Sequence, residues 1–399
     1  MKKNIIPKNR IKLDHLGQYY ASIHCKENPG TFGISVHLKE NLKPDILQQA
    51  VNDIVKRLPH LNVRLNNGFF WYYHEVLKNP LKIMLQPDFS TPARHFKKGE
   101  PLTRIIYGER HFTVEVLHTV CDGRSLAKIV SALLARYFEI LGYAINKKNI
   151  INPQDSPTKE EVEDAYKRHA DLRKQTHEKG QDVYMPHYQL TTPKVITQHF
   201  DLNKLKDKAQ AKGVTLTEYI MTLLTSELAK QREKDGCQKP ITVNVPIDCR
   251  GFFPSECLRN FVSNKTIIMP ESMNFTDTAQ GIKAQLTQIN ADYIQEKISE
   301  LENLIRISNY IPLFIKKWLI KKIGQAESTG HSTAFSNLGL IKLPTEIEDR
   351  IEMMSFALGA EAHVPYQFGC VATQNTLTLT TTTMAKDNTM IENIYAALK

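Results

Sequence analysis

Three residues in the first half of the chain could support acid–base chemistry: His118, Asp122 and Gly123, in the pattern H-x-x-x-D-G. They follow a stretch in which apolar residues alternate, and they precede a stretch with helical spacing. Imidazole accepts and returns protons near neutral pH, so a histidine at a strand end could act as a general base. The carboxylate could hold the loop through an arginine or backbone N–H groups, and the glycine permits a tight turn into the helix.

The same three positions also have a purely structural interpretation. Asp122 could cap the following helix, Gly123 could be a turn residue, and His118 could be a partly buried histidine with a satisfied hydrogen bond. A pattern with so few defined positions does not separate the two interpretations. The elements around the pattern must therefore be considered.

The first 150 residues predict a sheet backed by helices. The stretch "TFGISVHL" predicts a strand, and "PDILQQAVNDIVKRL" has the spacing of a helix that starts near Asp45. A turn at residues 66–68 separates two further strands, and "LTRIIYGERHFTVEVLH" predicts a hairpin around Gly108 and Glu109. A long helix is predicted from Gly123 to about Leu141.

The second half repeats this order of elements after a polar, proline-interrupted stretch. Residues 144–193 predict a linker that carries one exposed helix. Strands follow in "KVITQHFDL", "ITVNVPIDCR", "FVSNKTIIM", "STAFSNLGLI" and "NTLTLTTTTMA", with a helix capped by Thr215 or Thr217. We predict an α/β protein with an N-terminal lobe over 1–150, a linker over 151–192 and a C-terminal lobe over 193–399.

Composition excludes several classes of protein. The net charge is +10 over 399 residues, but the basic residues are scattered and no nucleic-acid module stands out, so we predict no nucleic-acid partner. None of the six cysteines has C-x-x-C spacing, which argues against a metal site and predicts buried thiols in a reducing compartment. The N-terminal stretch lacks the apolar core of a signal peptide, and no run reaches the ~18 apolar residues of a membrane span, so a cytoplasmic protein is expected.

The stretch "YIPLFIKKWLIKKIGQ" (Tyr310 to Gln325) has imperfect helical amphipathicity, because Lys316 interrupts its apolar side. It could be a helix packed in the core with solvated lysines. It could also be a lid over a hydrophobic acceptor, or a helix that makes weak contact with a membrane surface.

The chain resembles the superfamily of chloramphenicol acetyltransferase, peptide-synthetase condensation domains and acyl-CoA-dependent alcohol acyltransferases. The resemblance begins at "HTVCDG" and is nearest to the alcohol acetyltransferase branch. It extends, in the expected order, through "RLPHLNVRL", "GVTLTEYIMTLLTSEL", "VNVPIDCRGFFPSECLRNF" and "FSNLG". Leu117 stands where many relatives have a second histidine, and "YQFGC" only faintly matches the D-F-G-W-G of the plant-type branch, which argues against that branch.

The resemblance implies two lobes like chloramphenicol acetyltransferase with an active-site tunnel between them, and His118 as the general base midway along it. It implies an ion pair between Asp122 and a cation, with Arg250 the first candidate and Arg64 the second. The oxyanion of the reaction would need a donor, for which the candidates are Ser332, Thr333, Ser336 and Asn337. Asn260 and Phe261 match a position that lines the inter-lobe region.

The implied reaction transfers an acyl group, with acetyl as the first candidate, from CoA to the hydroxyl or amine of a small acceptor, which could be hydrophobic. Acyl-CoA would be a co-substrate and no cofactor would be bound permanently; the residues that contact its phosphates cannot be assigned. Two alternatives stay open: a separate acyl carrier protein as donor, and a non-catalytic protein of this fold that binds a ligand or partner. The double-lobed length favours a monomer.

Overall fold

The structure is a computed structural model and describes residues 9–86, 95–172, 182–269, 274–319 and 330–399. The strands are β1 (Arg10–Lys12), β2 (Thr31–Leu38), β3 (Val63–Asn67), β4 (Tyr72–Val76), β5 (Ile83–Leu85), β6 (Thr103–Tyr107), β7 (His111–Leu117), β8 (Leu190–Asp201), β9 (Thr242–Asp248), β10 (Val262–Ile268), β11 (Thr333–Leu340), β12 (Ile351–Leu358), β13 (Tyr366–Thr373) and β14 (Thr376–Ala385). The helices are α1 (His15–Ile23), α2 (Pro44–Arg57), α3 (Gly123–Ile140), α4 (Ala165–His169), α5 (Leu202–Ala211), α6 (Leu216–Lys234), α7 (Phe275–Leu286), α8 (Ala291–Ser308), α9 (described over residues 313–319), α10 (Thr345–Glu348) and α11 (Thr389–Leu398). Residues 320–325 of the predicted amphipathic stretch lie outside the described residues.

Two mixed sheets with helices confirm the predicted α/β fold class. The N-terminal sheet has the strand order β12-β2-β7-β6-β5, and the C-terminal sheet has the order β10-β9-β11-β13-β14-β8. In the latter, β11 runs parallel to β9 and β13, while the other pairs are antiparallel. A small sheet, β1-β4-β3, adjoins the N-terminal lobe. The predicted division at residues 150 and 193 remains a prediction, but one strand of the predicted C-terminal lobe, β12, pairs with β2 in the N-terminal sheet.

Helix patterning explains how the sheets are covered. Helix α3 buries an apolar face that includes Leu126, Ile129 and Leu133, and this face packs with α2 in the N-terminal core. In the C-terminal lobe Thr215 caps α6 and forms a capping box with Glu218, which selects Thr215 over Thr217 as the cap.

Two sequence-based expectations need correction. The helix in the linker is only five residues long, and its first two residues, Ala165 and Tyr166, are buried in an apolar cluster with Phe261. The Tyr166 hydroxyl also donates to the Val262 carbonyl at 2.6 Å. The cysteines are not all buried: Cys25 is exposed in the loop after α1 and Cys237 is half-buried after α6, although the other four are buried. Among the described residues, no helix is both long and apolar enough to cross a bilayer.

The two sheets meet where β12 crosses β13. A Cβ atom placed on Gly369 would lie 2.0 Å from the backbone oxygen of Phe356, so this position requires glycine. The sheets therefore approach each other here at backbone distance.

Replacing Gly369 with alanine should lower the free energy of unfolding by about 1–3 kcal/mol, because the methyl group forces the sheets apart. Urea denaturation measures this change. Gly251→Ala is the matched control, since a Cβ there has no neighbour within 4 Å. Equal stability of the two variants would show that the sheets do not meet through Gly369.

Candidate active site

His118 lies directly after β7, in the wall of a cavity of about 320 Å³ between the two sheets. Its backbone N–H donates to the Gly30 carbonyl at 2.9 Å, which holds the strand end in place. The imidazole stacks on the Tyr20 ring, with centroids 4.1 Å apart and planes 7° from parallel, and Phe32 lies 4.8 Å from it on a tilted plane. The ring is therefore clamped by aromatic side chains and still borders an open space.

A hydrogen-bonded chain determines which nitrogen of His118 carries its proton. Nδ1 of His118 is 3.0 Å from Oδ1 of Asn260, and Nδ2 of Asn260 is 3.1 Å from both carboxylate oxygens of Asp14. A carboxylate only accepts, so the amide NH₂ group of Asn260 must face Asp14 and its oxygen must face His118. The proton of the neutral imidazole then resides on Nδ1, and Nε2 keeps a free lone pair.

Asp14 is a functional candidate that sequence reasoning missed. It is fully buried and also accepts the backbone N–H groups of Gly17 at 2.6 Å and Asn260 at 3.3 Å. Burial raises the pKa of its carboxyl, and the charge of nearby Arg259 opposes that rise. Local sequence patterns could identify Asp14 only as a possible cap of α1. Its contact with Asn260 joins positions far apart in the chain, which local patterns do not report.

Burial also lowers the pKa of His118 below its usual value near 6.5, although the Asp122 charge and the Asn260 hydrogen bond oppose the shift. The imidazole is therefore neutral at pH 7. A neutral ring with a free Nε2 is the form of histidine that accepts a proton.

Asp122 is buried in a set of hydrogen bonds that join the lobes. One oxygen accepts the Ser125 N–H at 2.8 Å and caps α3, and the other accepts the Phe261 N–H at 2.8 Å and the Arg250 guanidinium at 2.9 Å. These donors hold the pKa of the Asp122 carboxyl below its usual value despite burial. The second candidate cation, Arg64, pairs with Glu75 instead. Asp122 thus positions the loop and makes no described hydrogen bond to His118.

Gly123 starts α3 beside the cavity, where the chain passes close to β11. A Cβ atom there would lie 2.8 Å from a methyl group of Leu338 and 3.6 Å from the Phe356 ring. The turn into α3 therefore has little room for a side chain at this position.

The four candidate oxyanion donors separate into two pairs. The Ser332 and Thr333 hydroxyls donate to the carbonyls of Tyr184 and Tyr366 within the C-terminal lobe, and neither residue lines the cavity. Ser336 and Asn337 line the cavity, but the Asn337 amide donates to the Thr217 hydroxyl at 3.2 Å. Ser336 is therefore the best placed of the four.

One face of the C-terminal sheet forms the floor of the cavity. Asn244 and Gln367 lie on either side of Ala334 in neighbouring strands, and Asn264 and Ser336 extend the same face.

Sequence reasoning missed two titratable groups in this space, Glu361 and His331. Burial raises the pKa of Glu361 to about 7 and lowers that of His331 to about 4, so both side chains are largely uncharged only between about pH 4 and pH 7. Among the described residues, no three His, Cys, Asp or Glu side chains are arranged to hold a metal ion.

Comparison with solved structures places this geometry in a known fold. Polyketide synthase associated protein 5 from Mycobacterium tuberculosis superposes with a TM-score of 0.67 at 17% identity, over 98% of each chain. The first condensation domain of the CDA synthetase gives 0.62 at 13% identity, over 98% of this chain and 95% of that one. Trichothecene 15-O-acetyltransferase from Fusarium sporotrichioides gives 0.62 at 10% identity, over 98% and 93%.

The chain has the fold shared by this condensation domain, this O-acetyltransferase and polyketide synthase associated protein 5. The two-lobed architecture expected from the sequence resemblance is thereby confirmed. No protein-family model matches the chain, and no curated protein sequence matches it at a significant level. The likeness is therefore one of fold, and the chemistry must be argued from the site.

The Asp122→Asn variant should lose about 3 kcal/mol of unfolding free energy at pH 7, because it leaves the buried Arg250 with one charged partner fewer. The native pKa of Asp122 lies below its unfolded value near 3.8, so the wild type keeps this stability above about pH 4 and loses it as pH falls through the native pKa. Chemical denaturation across pH should show the two proteins converging only in acid. Asp248→Asn removes the half-exposed partner of the same arginine and should cost about 1 kcal/mol or less. Equal losses in both variants at pH 7 would contradict this assignment.

Proposed function

We propose that the protein is an acyltransferase in which His118 is the general base. The observation that carries the proposal is the Asp14–Asn260–His118 chain, which leaves Nε2 as the proton acceptor of a ring that borders a cavity between two lobes. The shared fold supports it, since one of the similar structures is named an O-acetyltransferase and another a condensation domain. The structural interpretation of H-x-x-x-D-G explains Asp122 but not a histidine oriented in this way.

In the proposed reaction the acceptor and an acyl thioester meet at His118. Nε2 takes the proton of the acceptor hydroxyl or amine while that atom bonds to the thioester carbonyl carbon. The carbon–sulfur bond then breaks, and the leaving thiolate takes the proton back from the imidazolium, which yields an ester or amide and a free thiol. Holding both substrates at one ring supplies most of the rate enhancement, and the base adds about 10²–10⁴-fold.

No nucleophile on the protein is needed for this route. Cys121 lies close to His118 in sequence, but it is buried and burial raises the pKa of its thiol well above the usual value. A thiol held in that form is a poor nucleophile. Ser336 is proposed as the donor to the developing oxyanion, because its side chain lines the same cavity.

We propose acetyl-CoA as the donor and a small alcohol or amine as the acceptor. A donor screen tests this choice: free thiol release is followed with acetyl-CoA and, separately, with an acetylated phosphopantetheinyl carrier protein, each against a panel of alcohols and amines. Turnover with the carrier protein and none with acetyl-CoA would show that the acyl donor is a carrier protein. Absence of turnover with both donors, across the panel, would favour a binding protein of this fold.

His118→Ala should lower kcat by about 10²–10⁴-fold while the protein stays folded. His187→Ala is the control, because the His187 side chain is 84% exposed, pairs with Asp235 and does not line the cavity. In the wild type kcat/KM should rise with pH through a pKa below 6.5 and level off by about pH 7, since the neutral ring is the active form. Unchanged turnover in His118→Ala would eliminate His118 as the base.

Asn260→Ala tests positioning and should lower kcat by about 10²-fold, because the ring loses its fixed orientation. The hydrogen bond from Asn260 raises the pKa of His118, so the pH profile of the variant should also move to lower pH. A purely structural role would reduce the amount of folded enzyme without moving the profile.

A further inference from the structure

Large apolar side chains are exposed where the β3–β4 turn meets α8 and α9. Nine of the fifteen that are exposed among the described residues lie in the β3–β4 turn and between the end of α8 and α9. The most exposed are Tyr310 at 87%, Phe69 and Phe314 at 71%, Ile307 at 63% and Trp318 at 58%. The others are Leu304, Phe70, Ile315 and Leu319. We call these nine residues the aromatic surface.

The two segments form one continuous surface. The Leu313 N–H donates to the Phe69 carbonyl at 2.9 Å, and the Trp71 indole N–H donates to the Asn309 side chain at 2.9 Å. Beneath them Leu313 packs with Tyr72, Leu13 and Ala21 in a small buried cluster. The backbone that bears the exposed side chains is therefore held in place by hydrogen bonds and by a small buried cluster.

The segment that carries most of this surface has a positive sequence charge, although Lys316 is buried and Glu302 directly precedes the segment. From Asn303 to Leu319 the sequence contains three cations, Arg306, Lys316 and Lys317, and no Asp or Glu. The Lys316 ammonium lies 3.0 Å from the centroid of the Trp71 ring, so the residue that interrupts the amphipathic pattern is buried against an aromatic face. Lys317 donates to the Asn67 side chain at the tip of the turn, and Arg306 is exposed on α8.

We propose that the aromatic surface binds the interface of an anionic membrane. A cluster of exposed large apolar side chains marks an interaction site. Aromatic side chains beside lysine and arginine, without acidic neighbours in the segment, complement the headgroup region of a bilayer that contains anionic lipid. Side chains exposed by 71% or more project from the protein and do not line a groove, which suits insertion into a lipid interface better than docking of a helix or strand.

The position of α1 links this surface to the cavity. Tyr19, Tyr20 and Ile23 of α1 line the cavity, while the Gln18 amide bonds to the Tyr72 backbone beneath the aromatic surface. Helix α1 therefore lies between the cavity and the aromatic surface. Resting on the proposed function, the inference assigns the acceptor to a chemical class: alcohols or amines with a long alkyl chain, which dissolve in the bilayer.

Vesicle flotation of the full chain tests the binding. The probes are phosphatidylcholine vesicles with and without roughly one-third phosphatidylglycerol. The protein should float with the anionic vesicles, more weakly with the neutral ones, and less as salt is raised. Phe314→Ser should lower the partition coefficient about tenfold. Lys317→Glu should weaken binding to the anionic vesicles alone, and Leu85→Ser is the control because Leu85 is 66% exposed on β5, outside this surface.

Several results would overturn the proposal. The proposal is wrong if the wild type does not float with anionic vesicles, or if it binds both vesicle types equally. It is also wrong if Phe314→Ser binds the anionic vesicles as strongly as the wild type does. Concentration-dependent dimerisation in sedimentation velocity, lost in Phe314→Ser and without vesicle binding, would assign the surface to a second copy of the chain. Acetylation of butan-1-ol in solution should be unchanged in Phe314→Ser, so a failure of membrane binding is separable from a failure of the proposed activity.

Discussion

The short segment from Arg259 to Phe261 is held between two buried carboxylates of the N-terminal lobe. Asp14 accepts the backbone and side-chain N–H groups of Asn260, and Asp122 accepts the backbone N–H of Phe261. Removing two charges from water is costly, and only several well-placed donors offset that cost. Each carboxylate also accepts an N–H group of its own lobe, from Gly17 or Ser125, but the donors of the C-terminal lobe are in place only when the lobes are docked in this arrangement.

The same contacts determine the state of the candidate base. The amide that satisfies Asp14 presents its oxygen to His118, so lobe docking and the tautomer of the imidazole depend on one side chain. Stacking on Tyr20 restricts the ring further, and burial keeps it neutral. Through a single chain of hydrogen bonds, the packing of the two lobes thus leaves Nε2 as the proton acceptor of a ring that lines the cavity.

Local patterns in the sequence predicted much of the fold. The strand at 31–38, the hairpin before His118 and the helix from Gly123 appear within a residue or two of the predicted bounds, since alternation, turn residues and caps are local signals. The pairing of β12 with β2 was not predictable in this way, because it depends on contacts between the two ends of the chain.

The site shows the same division. His118, Asp122 and Gly123 form a recognisable motif, and the resemblance to a superfamily pointed to Arg250 and Asn260. Asp14 was missed because its cap position gives no sign of a partner 246 positions away along the chain. Glu361 and His331 were missed because their importance comes from burial in the cavity, which composition and periodicity do not report.

The most direct test of this account is the protonation pattern of the His118 ring. Long-range proton–nitrogen NMR correlation on ¹⁵N-histidine-labelled protein at pH 7, assigned by the signal that His118→Gln removes, distinguishes the two nitrogens. The account predicts a protonated Nδ1 and an unprotonated Nε2, with a mixture of tautomers once Asn260 is replaced by alanine. A proton on Nε2 in the wild type would contradict it.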